Sequence, residues 1–169
     1  STTLNNLGGL TFSNPVRQRI NFVETSFHQK SISLVLNTSS QSGGAIISHK
    51  NANRGIGFSS ENKISFFGDP APYGGISFPQ VINNEFNILT INFENNVSCW
   101  LNNHPNGIHI GTADVTDKKF NQIGALYGGS NSLSGSISEV IITNSVLDSQ
   151  ERSLLVRYLA NKWGLIHKL

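Results

Sequence analysis

The sequence contains little cysteine, little charge and no long apolar run, and each shortage excludes a class of protein. Cys99 is the only cysteine among 169 residues, so the chain cannot form an internal disulfide or a cysteine-based metal site. No apolar run reaches the roughly eighteen residues typical of a transmembrane helix. The 12 Lys and Arg residues are scattered, which argues against nucleic-acid binding because that function needs clustered basic charge. Met is absent and the chain begins at Ser1, which favours an excised domain or a processed product.

The abundant residues are small and polar. The chain holds 22 Ser, 21 Asn and 16 Gly, and these residues satisfy turn geometry locally. Between the turns lie short apolar or alternating runs, such as 31–36, 88–93 and 97–101. About ten to twelve short strands at this spacing predict an antiparallel two-sheet sandwich. We find no linker and no repeat, so we expect a single domain over residues 1–169.

The C-terminal forty residues carry the most specific local pattern. A closing strand is expected at about 135–143 and a helix at about 149–163. Asp148 and Glu151 form a capping-box pattern at the helix start, and Gly164 provides the stop. The helix is expected to pack through one apolar stripe made of Leu154, Leu155, Tyr158, Leu159 and Trp163.

Three segments together resemble the laminin G-like, concanavalin A-like jelly-roll superfamily, especially its variants in phage and bacterial surface proteins. Ser31–Leu36 is similar to the early core strand of this superfamily, and Asn87–Asn103 to its hairpin. The stretch from Ile123 to Gly164 is similar to its closing strand and helix. The resemblance implies an all-β, antiparallel two-sheet jelly-roll sandwich of the concanavalin A type, with one C-terminal α-helix. It does not select a function, because this fold hosts glycan binders, adhesive modules, glycosidases and spacers.

An enzymatic function is not expected. Retaining glucanases of this superfamily carry two carboxylates four residues apart on one strand, and the separation of such a pair sets the outcome of the reaction. The chain has ten Asp and Glu residues, and no pair of them shares a predicted strand at that spacing. Cys99 is expected to be a small buried residue and not a nucleophile. No resident cofactor or metal is expected, although calcium at a loop rim is kept as a candidate, with oxygens from Asp69, Asp114 and Asp117.

The candidate ligand-binding residues are Asp69, Tyr73, Trp100, Asn102 and Arg54. Glycan sites commonly combine an aromatic face with a few polar groups that bind hydroxyls. Tyr73 lies in a Pro/Gly-rich loop beside Asp69. In strand 97–101, residues 97, 99 and 101 share one face. If that face is the core, Trp100 and Asn102 point outward, either onto an open groove or under the C-terminal helix. Arg54, in the turn 51–55, adds hydrogen-bond donors if that turn lies on the same rim.

These features favour a non-enzymatic recognition module that binds a carbohydrate or cell-surface glycan, or that mediates adhesion. We expect it on an extracellular or virion surface, for example in a phage tail or fibre. The alternative is a structural or oligomerisation module of a virion, in capsid decoration or a fibre, with no sugar ligand. Glycans are the expected partners, with other virion subunits or a second copy of the chain as further candidates. Neither nucleic-acid binding nor membrane insertion is expected.

Overall fold

Strands dominate the described part of the chain. The computed structural model describes residues 9–12, 19–38, 44–49, 52–58, 64–67, 85–94, 97–104, 108–109, 119–125 and 132–169. The strands there are β1 Leu10–Phe12, β2 Ile20–Ser26, β3 Lys30–Thr38, β4 Gly44–His49, β5 Ala52–Phe58, β6 Ile64–Phe67, β7 Asn87–Phe93, β8 Val97–Leu101, β9 Ile108–His109, β10 Lys119–Ile123 and β11 Gly135–Thr143. They are followed by the helix α1 Ser149–Trp163 and a 3₁₀ turn at Ile166–Lys168.

The strands form two antiparallel sheets. The six-stranded sheet has the order β1-β11-β3-β7-β8-β9, and the five-stranded sheet has the order β2-β10-β4-β5-β6. Neighbours in each sheet come from distant parts of the sequence, as in β11 beside β3, which is the connectivity of a jelly roll. The predicted fold, a two-sheet antiparallel jelly-roll sandwich with a C-terminal helix, is confirmed.

The main core lies between the two sheets. Alternate residues of β3 and β7 point into it, and the rings of Phe27, Phe93 and Phe120 meet there with centroids 5.2 to 6.1 Å apart. Cys99 is fully buried in this core, as the sequence predicted, and burial raises the pKa of its thiol. A neutral, buried thiol is a packing group and not a nucleophile.

A second core lies on the outer face of the six-stranded sheet, where α1 packs. Val35 of β3 and Ile88 of β7 point away from the main core and contact the helix cluster, which comprises Val156, Leu159, Ala160, Trp163 and Leu165. The central strands therefore have both faces covered, and every residue of β7 is buried. Double coverage explains why the period-two pattern is weak in these strands.

The ends of α1 follow the local sequence signals. Asp148 Oδ1 accepts the backbone N–H groups of Gln150 and Glu151 at 2.8 and 2.9 Å, and Glu151 Oε2 accepts the Asp148 N–H at 3.0 Å. Gly164 caps the other end in the left-handed region, at φ 71°. Both assignments agree with the capping box and glycine stop expected from the sequence.

The buried face of α1 differs from the predicted stripe. Leu159 and Trp163 are buried and Leu155 is half-buried, but Leu154 is 59% exposed and Tyr158 is 52% exposed. The prediction of a packing role for Leu154 and Tyr158 is therefore wrong. Helical spacing explains the error, because the inward positions are 152, 155, 156, 159, 160 and 163, and positions 154 and 158 lie on the opposite side.

Polar contacts attach both ends of the α1 segment to the six-stranded sheet. Glu139 of β11 accepts hydrogen bonds from Trp163 Nε1 and, at 2.8 Å, from Lys162 Nζ. Ser31, Asn92 and the backbone of Leu147 form a closed triangle of hydrogen bonds of 2.6 to 2.9 Å just before α1. All of these polar groups are satisfied, so their burial costs little.

Replacement of Trp163 by Ala should lower the free energy of unfolding by about 3 kcal/mol, because it leaves a cavity in the second core. It also removes one donor to Glu139. The matched control is Tyr158→Ala on the exposed side of the same helix, which should change stability by no more than about 0.5 kcal/mol. Urea denaturation followed by circular dichroism measures both values. Equal losses in the two variants would contradict the assigned helix face.

Candidate functional site

The structure brings two of the five predicted ligand residues together. Trp100 and Asn102 lie at the end of β8 and in the turn that follows it. Asp69 and Tyr73 lie outside the described residues. Arg54 was expected in a turn, but it lies within β5 of the five-stranded sheet. That sheet lies across the main core from the outer face that carries Trp100.

Trp100 points away from the main core, as strand alternation predicted. Its neighbours Cys99 and Leu101 contribute to the main core, so the indole lies on the outer face of the sheet. Of the two environments considered for it, the structure supports the one beside the helix. The guanidinium carbon of Arg152, in α1, lies 4.1 Å from the centroid of the Trp100 ring. This distance is typical of a cation–π contact.

Asn102 joins the β8–β9 turn to the start of β7 through its side chain and its backbone. Its Oδ1 accepts the Ile88 N–H at 3.0 Å, and its Nδ2 donates to Asn87 Oδ1 at 3.1 Å. Its φ of 54° lies in the left-handed region, which Asn tolerates better than most residues. Asn102 therefore shapes the site, and its side-chain amide already bonds to β7.

A cleft of about 260 Å³ lies between this turn and the first half of α1. We call it the hairpin–helix cleft. Its lining is mainly polar and consists of Asn102, Asn103, His104, Ser149, Arg152, Ser153 and Val156. Amide, imidazole, hydroxyl and guanidinium groups thus converge on one concavity beside an indole. Such a set can bind hydroxyl or anionic groups of a small ligand.

The electrostatics of the cleft are set by Arg152. Burial lowers the pKa of its guanidinium, and the nearby Asp148 carboxylate opposes that effect. Arginine nevertheless stays charged at any physiological pH. The lining includes one arginine and no Asp or Glu.

A second cavity, of about 320 Å³, lies at the edge formed by β1, β2 and β11. Its lining is largely apolar and includes Leu10, Ile20, Ile137 and Val140. Its one carboxylate, Glu139, is already engaged by Trp163 and Lys162. This cavity offers few groups for a polar ligand, so the hairpin–helix cleft is the better candidate.

The described acidic residues do not form a catalytic pair. Glu24 contacts His49 at 2.8 Å and Lys119 at 3.7 Å, and Glu85 contacts Lys168 at 2.5 Å. That lysine lowers the pKa of Glu85 through its hydrogen bond and its charge. Glu139, Asp148 and Glu151 stabilise α1 as described above, and Glu94 is exposed. Two carboxylates facing one groove are therefore not found in this part of the chain.

In the described ranges no three His, Cys, Asp or Glu side chains lie close enough together to hold a metal ion. The candidate calcium residues Asp69, Asp114 and Asp117 lie outside these ranges. The helical segments described here are too short or too polar to cross a membrane.

Comparison with known proteins identifies relatives by fold and not by sequence. No protein-family model and no curated protein sequence matches the chain. Domain 4 of AbnA, a GH43 extracellular arabinanase from Geobacillus stearothermophilus solved in complex with arabinotriose, superposes with a TM-score of 0.65 at 17% identity, over 82% of this chain and 72% of that one. A heptameric SAP-like pentraxin from Limulus polyphemus superposes with a TM-score of 0.61 at 16% identity, over 86% and 78%.

A sialidase from Trypanosoma rangeli in complex with sialic acid gives a TM-score of 0.57 at 10% identity. The match covers 78% of this chain but only 23% of the sialidase. All three likenesses support the β-sandwich fold, at identities too low to transfer a function.

Replacement of Asn102 by Ala should lower the free energy of unfolding by about 1–3 kcal/mol, because the Ile88 N–H loses its acceptor. Asn102→Gly should cost less than Asn102→Ala, since Gly adopts the left-handed conformation without strain. Asn103→Ala is the control, because no hydrogen bond of the Asn103 side chain is found among the described residues, and its stability should match the parent. Thermal and chemical denaturation measure the series. A stable Asn102→Ala protein would contradict this hairpin role.

Proposed function

We propose that this chain is a non-enzymatic carbohydrate-binding module and that the hairpin–helix cleft holds part of its ligand. The observation that carries the proposal is the convergence of Asn103, His104, Ser149, Arg152 and Ser153 on one concavity beside Trp100. Sugars expose many hydroxyl groups, and a site for them needs several donors and acceptors in fixed positions.

The walls of the cleft suit recognition because they are rigid. One wall is a capped helix and the other is a hairpin turn held by the Asn102 amide. Polar groups on such elements lose little conformational entropy on binding. The volume of about 260 Å³ is slightly below the usual range for drug-sized ligands, and it suits one sugar unit or the end of a glycan chain.

The fold comparison supports the same function. The arabinanase domain has arabinotriose bound, and it superposes on most of this chain. A sandwich of this shape therefore carries a sugar in that protein. The absence of a carboxylate pair among the described residues favours binding over hydrolysis.

The proposal extends to the remaining predicted residues and to the location of the protein. Asp69 and Tyr73 would add a carboxylate and an aromatic ring to the ligand surface, and Arg54 a further donor. Because cell-surface glycans are met outside the cell, we propose display on an extracellular or virion surface. A phage tail or fibre is one such setting. We also propose that residues 1–169 form a single laminin G-like domain.

A glycan array followed by isothermal titration calorimetry tests the function. Asn103→Ala should weaken binding of an array-selected glycan at least about tenfold, equivalent to roughly 1.4 kcal/mol, without a change in melting temperature. Tyr73→Ala should have a similar effect if the loop around it completes the site. Asn144→Ala is the control, since Asn144 is exposed outside the cleft lining. No binding to any cell-surface polysaccharide at millimolar concentration would refute the function.

The alternative is a structural or oligomerisation module, and the exposed face of α1 favours it. Leu154 and Tyr158 are one helical turn apart and more than half exposed, and Ile166 and Leu169 add further exposed apolar surface. Under this alternative the purified chain should form a homo-oligomer, and Leu154→Glu together with Tyr158→Glu should dissociate it. Light scattering at micromolar concentration measures whether the chain forms a homo-oligomer. A monodisperse monomer of the parent chain would exclude self-association through this face.

A further inference from the structure

Arg152 is the charged group at the centre of the hairpin–helix cleft. It lies in the first turns of α1, lines the cleft, and places its guanidinium over the Trp100 ring at 4.1 Å. A guanidinium that contacts an aromatic ring through its planar face keeps its N–H edge for in-plane hydrogen bonds. The contact with Trp100 places this donor group at the edge of the cleft.

The positive charge of Arg152 has no ion-pair partner among the residues that the structure describes. The nearest acidic influence is Asp148, but its Oδ1 is occupied by the N–H groups of Gln150 and Glu151. The Glu151 carboxylate, in turn, accepts the Asp148 N–H. One oxygen of each carboxylate is therefore used in capping the helix.

The charge of Arg152 carries an energetic cost because its guanidinium is partly buried. Partial burial removes water from the guanidinium, which is why its pKa is lowered. A partner of opposite charge offsets this cost for charged side chains that lose water. Here the cation–π contact offsets part of it, and an anion entering the cleft would offset more.

We propose that the hairpin–helix cleft binds a carboxylate-bearing glycan, with the sugar carboxylate on the N–H edge of Arg152. The inference rests on the proposed function and specifies its ligand class. Hydroxyl groups of the same sugar would meet Asn103, Ser149 and Ser153, which line the cleft around the guanidinium. A carboxylate fits the arginine edge in a bidentate geometry.

The charge balance favours a carboxylate over a phosphate. A phosphate monoester carries close to two negative charges at neutral pH and is commonly bound by several cationic groups or helix N-termini. The cleft lining includes a single arginine, and Asp148 already caps the helix N-terminus beside it. One arginine without an ion-pair partner in the described ranges matches one carboxylate.

Matched acidic and neutral sugars test this inference by calorimetry. The probes are trigalacturonate, a hyaluronan tetrasaccharide and sialyllactose, each beside its carboxyl-reduced counterpart. At least one acidic probe should bind the parent protein tenfold or more tightly than its reduced form. The preference should shrink as the salt concentration rises, because it depends on charge.

Substitutions at Arg152 test whether this residue causes the preference for the acidic probe over its reduced form. Arg152→Gln should remove the difference between the acidic probe and its reduced form, whereas Arg152→Lys should keep part of it. Arg157→Gln is the control, since Arg157 is exposed on the same helix but does not line the cleft. Melting temperatures of all variants show whether Arg152→Gln acts through charge or through lost packing on Trp100.

The outcomes separate this inference from the proposed function. Equal binding of acidic and reduced probes, with both weakened by Asn103→Ala, would overturn the anion preference and leave a glycan-binding cleft. An acidic preference that survives Arg152→Gln would overturn the assignment to Arg152. Failure of every acidic probe to bind would also overturn the inference, and the neutral glycans of the array would then decide the proposed function.

Discussion

The packing of α1 on the outer face of the six-stranded sheet is the constraint on which the other features depend. It covers Val35 and Ile88 and completes the burial of strands β3 and β7. It also determines which side chains of α1 meet the β8–β9 turn. Without this contact, Trp100 would face solvent and Arg152 would have no aromatic partner. The second core and the hairpin–helix cleft are therefore two parts of one interface.

Polar contacts fix the register of that interface more narrowly than apolar packing does. Apolar side chains tolerate small shifts along a sheet, whereas hydrogen bonds do not. Glu139 fixes the C-terminal end of α1 through Trp163 and Lys162. The Ser31–Asn92–Leu147 triangle fixes the segment before its N-terminus. With both ends fixed, the backbone of Arg152 is held in one position relative to the hairpin, which favours the preorganisation that a binding site requires.

The parts of the structure that the sequence predicted are those set by local chemistry. Asp148, Glu151 and Gly164 define a helix by rules that operate within four residues, and alternation in β8 places Trp100 on the outer face. The errors arose where two elements meet. Leu154 and Tyr158 are apolar and helically spaced, yet only the sheet decides which side of α1 is buried. Ala160, which lies on that side, gave a weaker sequence signal because Ala is small.

The same reasoning explains why the cleft could be predicted only in part. Trp100 and Asn102 were identified from a single strand, but their partner Arg152 belongs to a helix that approaches only after the fold has formed. That partner changes the chemistry expected of the indole. A sugar-binding tryptophan normally offers an open face for stacking, and Arg152 covers this ring at 4.1 Å. The indole thus serves to orient a cation. Selectivity at this cleft should then come from charge and hydrogen bonds, and only secondarily from stacking.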